Sequence, residues 1–249
     1  ISSAKNIDKT FRATGLSVFS VFGMAHERLE FFQKLAEGMG ATFHVLGKQV
    51  AENAGYIGAY QKALGISAEE MRGFGQEAIR TGKPLTEVFR ETANYSLQLG
   101  EAFGVSQKLI GRDIGKMTNN VKYFGSVTKK QMGETSVYAI KLGIEVEKMF
   151  GVFDKFDNFE DAAVGAAKLS QVFGANVDAM KLMNAQTPHE RIDMLRQAMR
   201  AAGKDAATMS RQELNLLASQ SGLDAETAKL AFSLKNQGRS LQDIQKESG

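Results

Sequence analysis

The 249-residue sequence contains no cysteine, no tryptophan and only two prolines. Because cysteine is absent, the chain has no disulfides, no thiolate zinc sites and no cysteine nucleophile. The scarcity of proline removes the residue that most often interrupts a helix. These absences favour a helical protein of a reducing compartment or a capsid-like particle over a secreted fold held by disulfides.

A long apolar run is also missing. The longest uncharged stretch, Ala13 to Ala25, has 13 residues, whereas a membrane-spanning helix needs about 20. No basic region precedes this stretch and no clear cleavage site follows it, so it does not have the pattern of a signal peptide. We expect a buried or interhelical helix there. Since the chain starts at Ile1 and ends on KESG, we interpret it as a part of a longer protein.

Patterns for catalysis and metal binding are weak. The three histidines are far apart in sequence, and His26 with Glu27 lacks the second histidine of a zinc-protease helix. The stretch GRDIGK at Gly111 to Lys116 is shorter than a phosphate-binding loop, and Met117 follows where that loop has a hydroxyl residue for magnesium. We therefore expect no catalytic residue, no metal and no cofactor, and we do not expect an enzyme.

What the sequence does contain is a recurring stretch with a glycine, an apolar residue and then a small polar or acidic residue. LGISAEEM from Leu64 is followed by FGVSQKLI, LGIEVEKM, FGANVDAM and SGLDAETA. A glycine just past a helix can adopt the left-handed conformation that satisfies the last carbonyls. A polar residue two positions later can cap the next helix, and a glutamate three residues beyond completes a capping box. The stretches therefore predict helix joints at Gly65, Ser67 and Glu70, at Gly104 and Ser106, at Gly143, at Gly174 and Asn176, and at Gly222 and Asp224.

Other signals mark further helix boundaries. The stretch TGKP, residues 81–84, predicts a break, because Pro84 suits the first turn of a following helix. Helix starts are predicted where a hydroxyl residue precedes an acidic residue by three positions, as at Thr187 with Glu190, Ser210 with Glu213, and Ser240 with Asp243. No stretch alternates between polar and apolar residues with a period of two, so we expect little or no sheet.

These patterns divide the chain into three predicted regions. Residues 1–64 have apolar residues at three- and four-residue steps, which predicts one long helix or two in sequence. Residues 65–160 form a helical hairpin region with a basic face, and residues 161–249 form a third helical region. We predict an all-α fold of elongated helical hairpins and short helices joined by glycine-containing capped turns. We expect them to assemble as a helical bundle or a coiled-coil oligomer.

The 25 glycines are unusual in a helical chain, because each interior glycine costs about 1 kcal/mol relative to alanine. They should therefore mark joints or places where helices approach closely. If Gly104 is a joint, Gly111 and Gly115 lie together on one continuous helix. Two small residues at this spacing would let a neighbouring helix come close.

One stretch is distinctly basic. Seven lysines and arginines lie between Val105 and Lys141, against two acidic residues. Of these, Lys108, Arg112 and Lys116 occur at four-residue steps, which places them on one helix face. Such a face could contact DNA phosphates or an acidic wall. The net charge of only +3 and the lack of an accompanying aromatic stacking pattern favour a solvated helix face instead.

Two stretches in the later third of the chain have a recognisable order. KLSQVFGANVDAMKLMNA is followed by RIDMLRQAM and then by MSRQELNLLA, all within Asp161 to Phe232. This segment resembles the tape measure proteins of long-tailed bacteriophages, and the upstream LGIS and FGVS joints are similar in style. The resemblance covers the later third well and the remainder loosely.

The resemblance implies a structural virion protein that occupies the lumen of the tail tube, sets tail length and leaves ahead of the DNA during ejection. Its partners would be further copies of itself, with a trimer as one option, together with tail tube proteins and tail tip or baseplate hub proteins. Transient contact with phage DNA and the host membrane is also implied. The protein would be made in the bacterial host cytoplasm and reside inside the tail of the virion.

The number of joints limits this interpretation. A chain with at least six joints cannot be a straight helical rod, so we expect a folded, hairpin-rich terminal region. The alternative hypothesis is a helical nucleic-acid-binding or adaptor module that uses Lys108, Arg112 and Lys116. A third hypothesis, a cell-wall hydrolase, would require clustered histidines, cysteines or carboxylates, which the sequence does not offer.

Overall fold

The structure, a computed structural model, describes residues 26–236, with side chains from Glu30 onward. This part of the chain is all-α, as predicted, and contains no strand. The apolar stretch Ala13 to Ala25 and the predicted start at Ser240 and Asp243 lie outside the described residues. The α-helices are α1 His26–Met39, α2 Ala41–Glu52, α3 Ala54–Leu64, α4 Met71–Thr81, α5 Leu85–Phe103, α6 Gln107–Asn119, α7 Val121–Phe124, α8 Lys129–Leu142, α9 Gly151–Phe156, α10 Phe159–Phe173, α11 Ala179–Asn184, α12 Pro188–Ala201, α13 Arg211–Ser221 and α14 Ala225–Phe232, with short 3-10 helices at Val146–Met149 and Leu234–Asn236.

The helices group into two compact units. The first unit holds the described residues up to Glu101 together with Ser106–Gly125, and the second holds Ala102–Val105 and the described residues from Ser126. The predicted regions 1–64, 65–160 and 161–249 follow a different division. Capping signals mark where helices end, and most of the described helices end inside a compact unit and not at its border. The assembly of the chain into a bundle or coiled-coil oligomer stays a prediction.

In the first unit, the described part of region 1–64 is broken into three helices instead of one or two. Gly40 separates α1 from α2 with a φ of 54°, and Asn53, with a φ of −116°, separates α2 from α3. The three helices share one core with α4, α5 and α6. Its fully buried side chains include Phe32, Phe43, Ile57, Phe74, Phe89, Ile110 and Ile114.

Glycines allow the helices of the first unit to approach closely. A Cβ atom added to Gly73 of α4 would overlap the backbone of Thr118 and Asn119 at the end of α6. A Cβ atom on Gly111 of α6 would lie 2.7 Å from the Leu64 side chain, and one on Gly115 would lie 3.2 Å from Phe74. Gly111 and Gly115 therefore line the side of α6 that packs on the α3–α4 joint.

The second unit has its own core, formed by α8 to α14. Its fully buried side chains include Tyr138, Phe156, Leu169, Ile192, Leu195, Leu217 and Phe232. One close approach is again made by glycines, because a Cβ atom on Gly151 would overlap the carbonyl oxygen of Gly222. The start of α9 and the end of α13 thus meet backbone to backbone.

At all five predicted joints, the glycine directly follows a helix and has a positive φ. The φ angles are 65° at Gly65, 63° at Gly104, 72° at Gly143, 70° at Gly174 and 74° at Gly222. These values lie in the left-handed region that side chains with a Cβ atom disfavour. The glycine part of the joint pattern therefore corresponds to the ends of α3, α5, α8, α10 and α13.

At two of the five joints, the predicted polar residue forms a capping hydrogen bond. The Glu70 carboxylate accepts from the Ser67 N–H at 2.6 Å, and the Ser67 hydroxyl accepts from the Glu70 N–H at 3.2 Å. These are the reciprocal bonds of a capping box, although the regular helix α4 begins only at Met71. At the last joint, the Asp224 carboxylate accepts from the Thr227 N–H at 2.9 Å and caps α14.

At the other three joints the polar residue does not cap. Ser106 stands at the N-cap position of α6, but its side chain makes no capping bond. Glu145 precedes a 3-10 helix, also without a side-chain bond. Asn176 is two residues too early, because α11 begins at Ala179 and is capped by Asp178, which accepts from the Lys181 N–H at 3.1 Å. The joint after Gly174 is therefore longer than predicted, and it contains the buried Ala175.

Candidate functional site

The predicted basic face lies on α6 of the first unit. Lys108 and Arg112 are exposed and Lys116 is half-buried, whereas Ile110, Ile114 and Met117 on the other side of the helix are buried. The one acidic residue of α6, Asp113, is also buried. The three cations are spread over about 12 Å of helix. We call this set, Lys108, Arg112 and Lys116, the α6 basic face.

Glycine packing fixes the direction in which the α6 basic face points. Gly111 and Gly115 hold the adjacent side of the helix against the α3–α4 joint, with contacts to Leu64 and Phe74. The stem of Lys108 passes Gly65, where an added Cβ atom would be 3.7 Å from the Lys108 Cγ. Joint residues and basic residues, predicted separately, are thus brought together in one place.

The other cations of the basic stretch do not extend this face along α6. Lys122 lies on α7, and Lys129, Lys130 and Lys141 belong to the second unit. Lys130 lies 4.0 Å from the buried Glu134, and Lys141 lies 4.9 Å from the centre of the Phe103 ring. Lys122 lies 4.4 Å from the centre of the Tyr123 ring. Lys122, Lys130 and Lys141 therefore have partners inside their own unit.

Sequence reasoning missed a buried arginine in the second unit. The Arg191 side chain is only 4% exposed. Its guanidinium donates to the carbonyl oxygens of Val152, Phe153, Met183 and Ala185 and to the carboxylate of Asp157, over 3.1–3.4 Å. A cation at the last carbonyls of α9 and α11 opposes their negative helix ends. Arg191 of α12 therefore ties three helices together.

A second buried polar cluster links α8 with α12. Thr135 Oγ1 lies 2.6 Å from Nδ1 of His189, and it donates to the carbonyl of Gln131 at 2.8 Å. The Thr135 hydroxyl thus lies within hydrogen-bonding distance of both the His189 ring and the backbone of α8. Tyr138 accepts from Arg196 at 2.8 Å, and the Asp193 carboxylate lies 3.4 Å from the Tyr138 hydroxyl.

Burial perturbs the ionisation of this second cluster. Burial lowers the pKa of His189 to about 3, so the ring is neutral. Burial also raises the pKa of Tyr138 far above its usual range, although Arg196 opposes the rise. Glu134 has a raised pKa, chiefly because it is buried, with Lys130 acting against the shift and Glu190 adding to it. The cluster holds its polar groups by hydrogen bonds within the core, which suits a structural role.

The sequence carried a signal for these buried residues. Ile192, Leu195 and Met199 form the apolar stripe that periodicity reveals, but His189, Asp193 and Arg196 form a second stripe at steps of four and three residues. At 100° per residue, the two neighbouring stripes together span about 160° of the helix circumference. A polar stripe beside an apolar one is normally assigned to solvent, and only the structure shows that both are buried.

Each unit also has a concave site on its described surface. One, of about 330 Å³, lies in the first unit and is lined by Asn53, Tyr56, Tyr60, Pro84, Thr86, Glu87 and Arg90. We call it the tyrosine groove. The other, of about 360 Å³, lies in the second unit between the start of α8, the end of α11 and the start of α12, and its lining includes Gln131, Lys181, Gln186 and Glu190.

Residues 26–236 were compared with the side-chain groups that hold metal ions and with the helices that span membranes. The described residues contain no group of three or more histidine, aspartate or glutamate side chains placed to hold a metal ion. Within the same part of the chain, every helix is too short or too polar to span a bilayer. Comparison of the chain with protein-family models, with curated proteins and with solved structures finds no match.

Proposed function

We propose that this chain is a folded part of a phage tail tape measure protein, a structural virion component and not an enzyme. The observation that carries the proposal is the resemblance of Asp161 to Phe232, whose motifs coincide with helix boundaries and buried faces. The segment forms α10 to α14, and each of these helices starts with a capping side chain. RIDMLRQAM supplies Arg191, Asp193 and Arg196, which are buried in the second unit.

Within that function, we assign this part of the chain to contact with the tail tip and tube proteins. The longest described helix, α5, has 19 residues and spans about 28 Å. A series of short helices folded into compact units is poorly suited to setting tail length, because its length does not grow in proportion to the number of residues. The length-setting role would then belong to other parts of the full-length protein.

Two surface features support the partners implied by this function. The α6 basic face would contact an acidic tube wall or entering DNA. On the second unit, Phe159, Val172 and Met180 are 59%, 47% and 53% exposed, and burial of such exposed apolar side chains would favour association of copies. Release through the tube is compatible with helices as short as α11, because isolated short helices are marginal in water.

Imaging of intact tailed particles by electron cryomicroscopy tests the proposal. We expect density that fits α10 to α14 on the tail axis, in several symmetry-related copies beneath the tube or tip proteins. An in-frame deletion of residues 161–232 should then abolish tail assembly. If tails assembled and were shorter by about 100 Å, the segment would instead measure length as an extended helix. Particles without this chain would refute the proposal.

A second candidate function is a helical nucleic-acid-binding or adaptor module, which is favoured by the exposure of Lys108 and Arg112 on the α6 basic face. Replacing Lys108, Arg112 and Lys116 by alanine should remove salt-dependent binding to duplex DNA. The matched control replaces three exposed cations elsewhere in the first unit by alanine, namely Lys34, Lys48 and Arg80. Equal binding by both triple variants, or no binding at low salt, would exclude the α6 basic face as a DNA site.

A further inference from the structure

The tyrosine groove is bounded by the α2–α3 junction and the start of α5. Its volume of about 330 Å³ is at the small end of the range for ligand sites. Tyr56 is 71% exposed, an unusual position for a large aromatic ring. Tyr60 stacks on the buried Phe89, with ring centres 6.2 Å apart and an angle of 15° between the planes. One tyrosine is therefore held by the core and the other is open to solvent.

The polar groups of the groove have hydrogen-bonding capacity that the described residues do not use. The hydroxyls of Tyr56, Tyr60 and Thr86 form no hydrogen bond within that part of the chain. Asn53 donates its amide to the carbonyl of Gln49 at 2.9 Å, while its own side-chain oxygen caps nothing. The groove thus combines an exposed aromatic ring with hydroxyls and an amide oxygen that can take part in further hydrogen bonds.

The charged groups of the groove balance one another. Glu87 and Arg90 are 4.0 Å apart and both remain partly exposed, so each can still bind a ligand. Beside the groove, Lys83 pairs with Glu91 at 2.5 Å. The site is therefore close to neutral, which disfavours a polyanion such as single-stranded DNA even though the tyrosines could stack on bases.

The mixture of donors and acceptors also selects among neutral ligands. A proline-rich segment would pack on the tyrosines, but its prolines have no N–H to donate to Glu87 or Asn53. Sugar hydroxyls both donate and accept, so they match a carboxylate, an amide oxygen and a guanidinium at once. We infer that the tyrosine groove binds a short neutral oligosaccharide, with a sugar ring on Tyr56 and its hydroxyls on Asn53, Glu87 and Arg90. This site is independent of the proposed virion function.

The test uses the full chain and three probes: maltotriose, cellotriose and triacetylchitotriose. Saturation-transfer NMR detects contact with each sugar, and a calorimetric titration up to about 10 mM gives the dissociation constant. We expect saturable binding of at least one probe. Tyr56→Ala should weaken this binding at least about tenfold, because it removes the stacking ring, and Glu87→Gln should weaken it several-fold. Neither side chain is part of the core, so both variants should fold.

The matched control is Tyr95→Ala, which removes a partly exposed tyrosine of α5 that does not line the groove. It should bind the sugar as the unaltered chain does. The inference is overturned if none of the three sugars binds, or if Tyr56→Ala and Tyr95→Ala bind equally. It is also overturned if a proline-rich decapeptide or a short single-stranded DNA binds the groove more tightly than every sugar and loses that binding in Tyr56→Ala.

Discussion

The two compact units are both all-helical, but their helices start and pack in different ways. In the first unit, α2, α3 and α6 begin without a capping bond from the side chain at the N-cap position, and the capping box of Ser67 and Glu70 lies in the turn before α4. In the second unit, six helices begin with a side chain that accepts a backbone N–H. The capping residues are Thr128, Asn158, Asp178, Thr187, Ser210 and Asp224.

The two units also differ in how their helices pack. The first unit brings helices together at glycines such as Gly73 and Gly111 and buries few charges. The second unit buries His189, Arg191 and Arg196 and holds each of them by hydrogen bonds, although the Nε atom of Arg196 is buried without a hydrogen-bond partner among the described residues. Close backbone contact tolerates no added volume, whereas buried polar groups tolerate no lost partner or changed charge. The first unit should therefore be sensitive to size and the second to charge and pH.

The largest effect is expected for Arg191→Met. The replacement fills similar volume but removes the common donor of four carbonyl oxygens, which should cost about 3–4 kcal/mol of unfolding free energy. The Asp157 carboxylate adds little to this cost, because its side chain is 49% exposed. Hydrogen exchange measured by mass spectrometry should show the loss in the second unit alone. The control is Arg200→Met, an exposed arginine on the same helix. Similar losses in both variants, or a loss in the first unit, would contradict the comparison.

The next effect tests the glycine contacts of the first unit. Gly73→Ala should cost about 3 kcal/mol, because the new methyl group meets backbone of α6 that cannot rotate away. Gly55→Ala provides the opposite case, since α3 has open space around Gly55. It should raise the free energy of unfolding by about 0.5–1 kcal/mol through higher helix propensity. Denaturant unfolding of the two variants measures both changes in the free energy of unfolding. Changes of the same sign would refute the role assigned to Gly73.

These contrasts explain what could be predicted from the sequence. Local rules located Gly65, Gly104 and Gly222, because a left-handed residue after a helix requires little beyond its own backbone. They failed at Asn176, where Asp178 two residues later caps instead, and they missed Arg191 altogether. The partners of Arg191 are carbonyls brought together by the fold, and no spacing along the chain identifies them. The tyrosine groove was missed for the same reason, since Tyr56 and Arg90 meet only in three dimensions.

The third prediction concerns pH. The pKa of His189 is lowered from 6.5 to about 3 by burial, so the unfolded chain binds the proton more readily than the folded one. The stabilisation is fully present above pH 6.5 and is lost as the pH falls from 6.5 towards 3. Between pH 7 and pH 5 the loss should be about 2 kcal/mol. Above pH 5 the carboxylates contribute little, although Glu134, whose pKa is raised, acts in the opposite direction.

Urea unfolding at pH 7, 6 and 5 measures this slope, and hydrogen exchange assigns it to the second unit. His189→Gln keeps a hydrogen-bonding side chain next to Thr135 but cannot titrate, so its unfolding free energy should change less over the same interval. If the glutamine variant showed the full slope, another group would be responsible. If the first unit opened first on acidification, the division into a size-sensitive and a charge-sensitive unit would be wrong.

The smallest expected change in unfolding free energy concerns two N-cap serines. One of them forms a capping hydrogen bond and the other only occupies the N-cap position. Ser210 accepts from the Glu213 N–H at 3.3 Å, and Glu213 accepts from the Ser210 N–H at 2.9 Å. Ser210→Ala should therefore cost about 1 kcal/mol. Ser106 has the same N-cap position on α6 but makes no such bond, and the third residue of that helix, Leu109, cannot reciprocate. Ser106→Ala should thus change the unfolding free energy by less than about 0.5 kcal/mol. Thermal unfolding followed by circular dichroism distinguishes the two, and equal losses would mean that helix starts in both units depend on their caps.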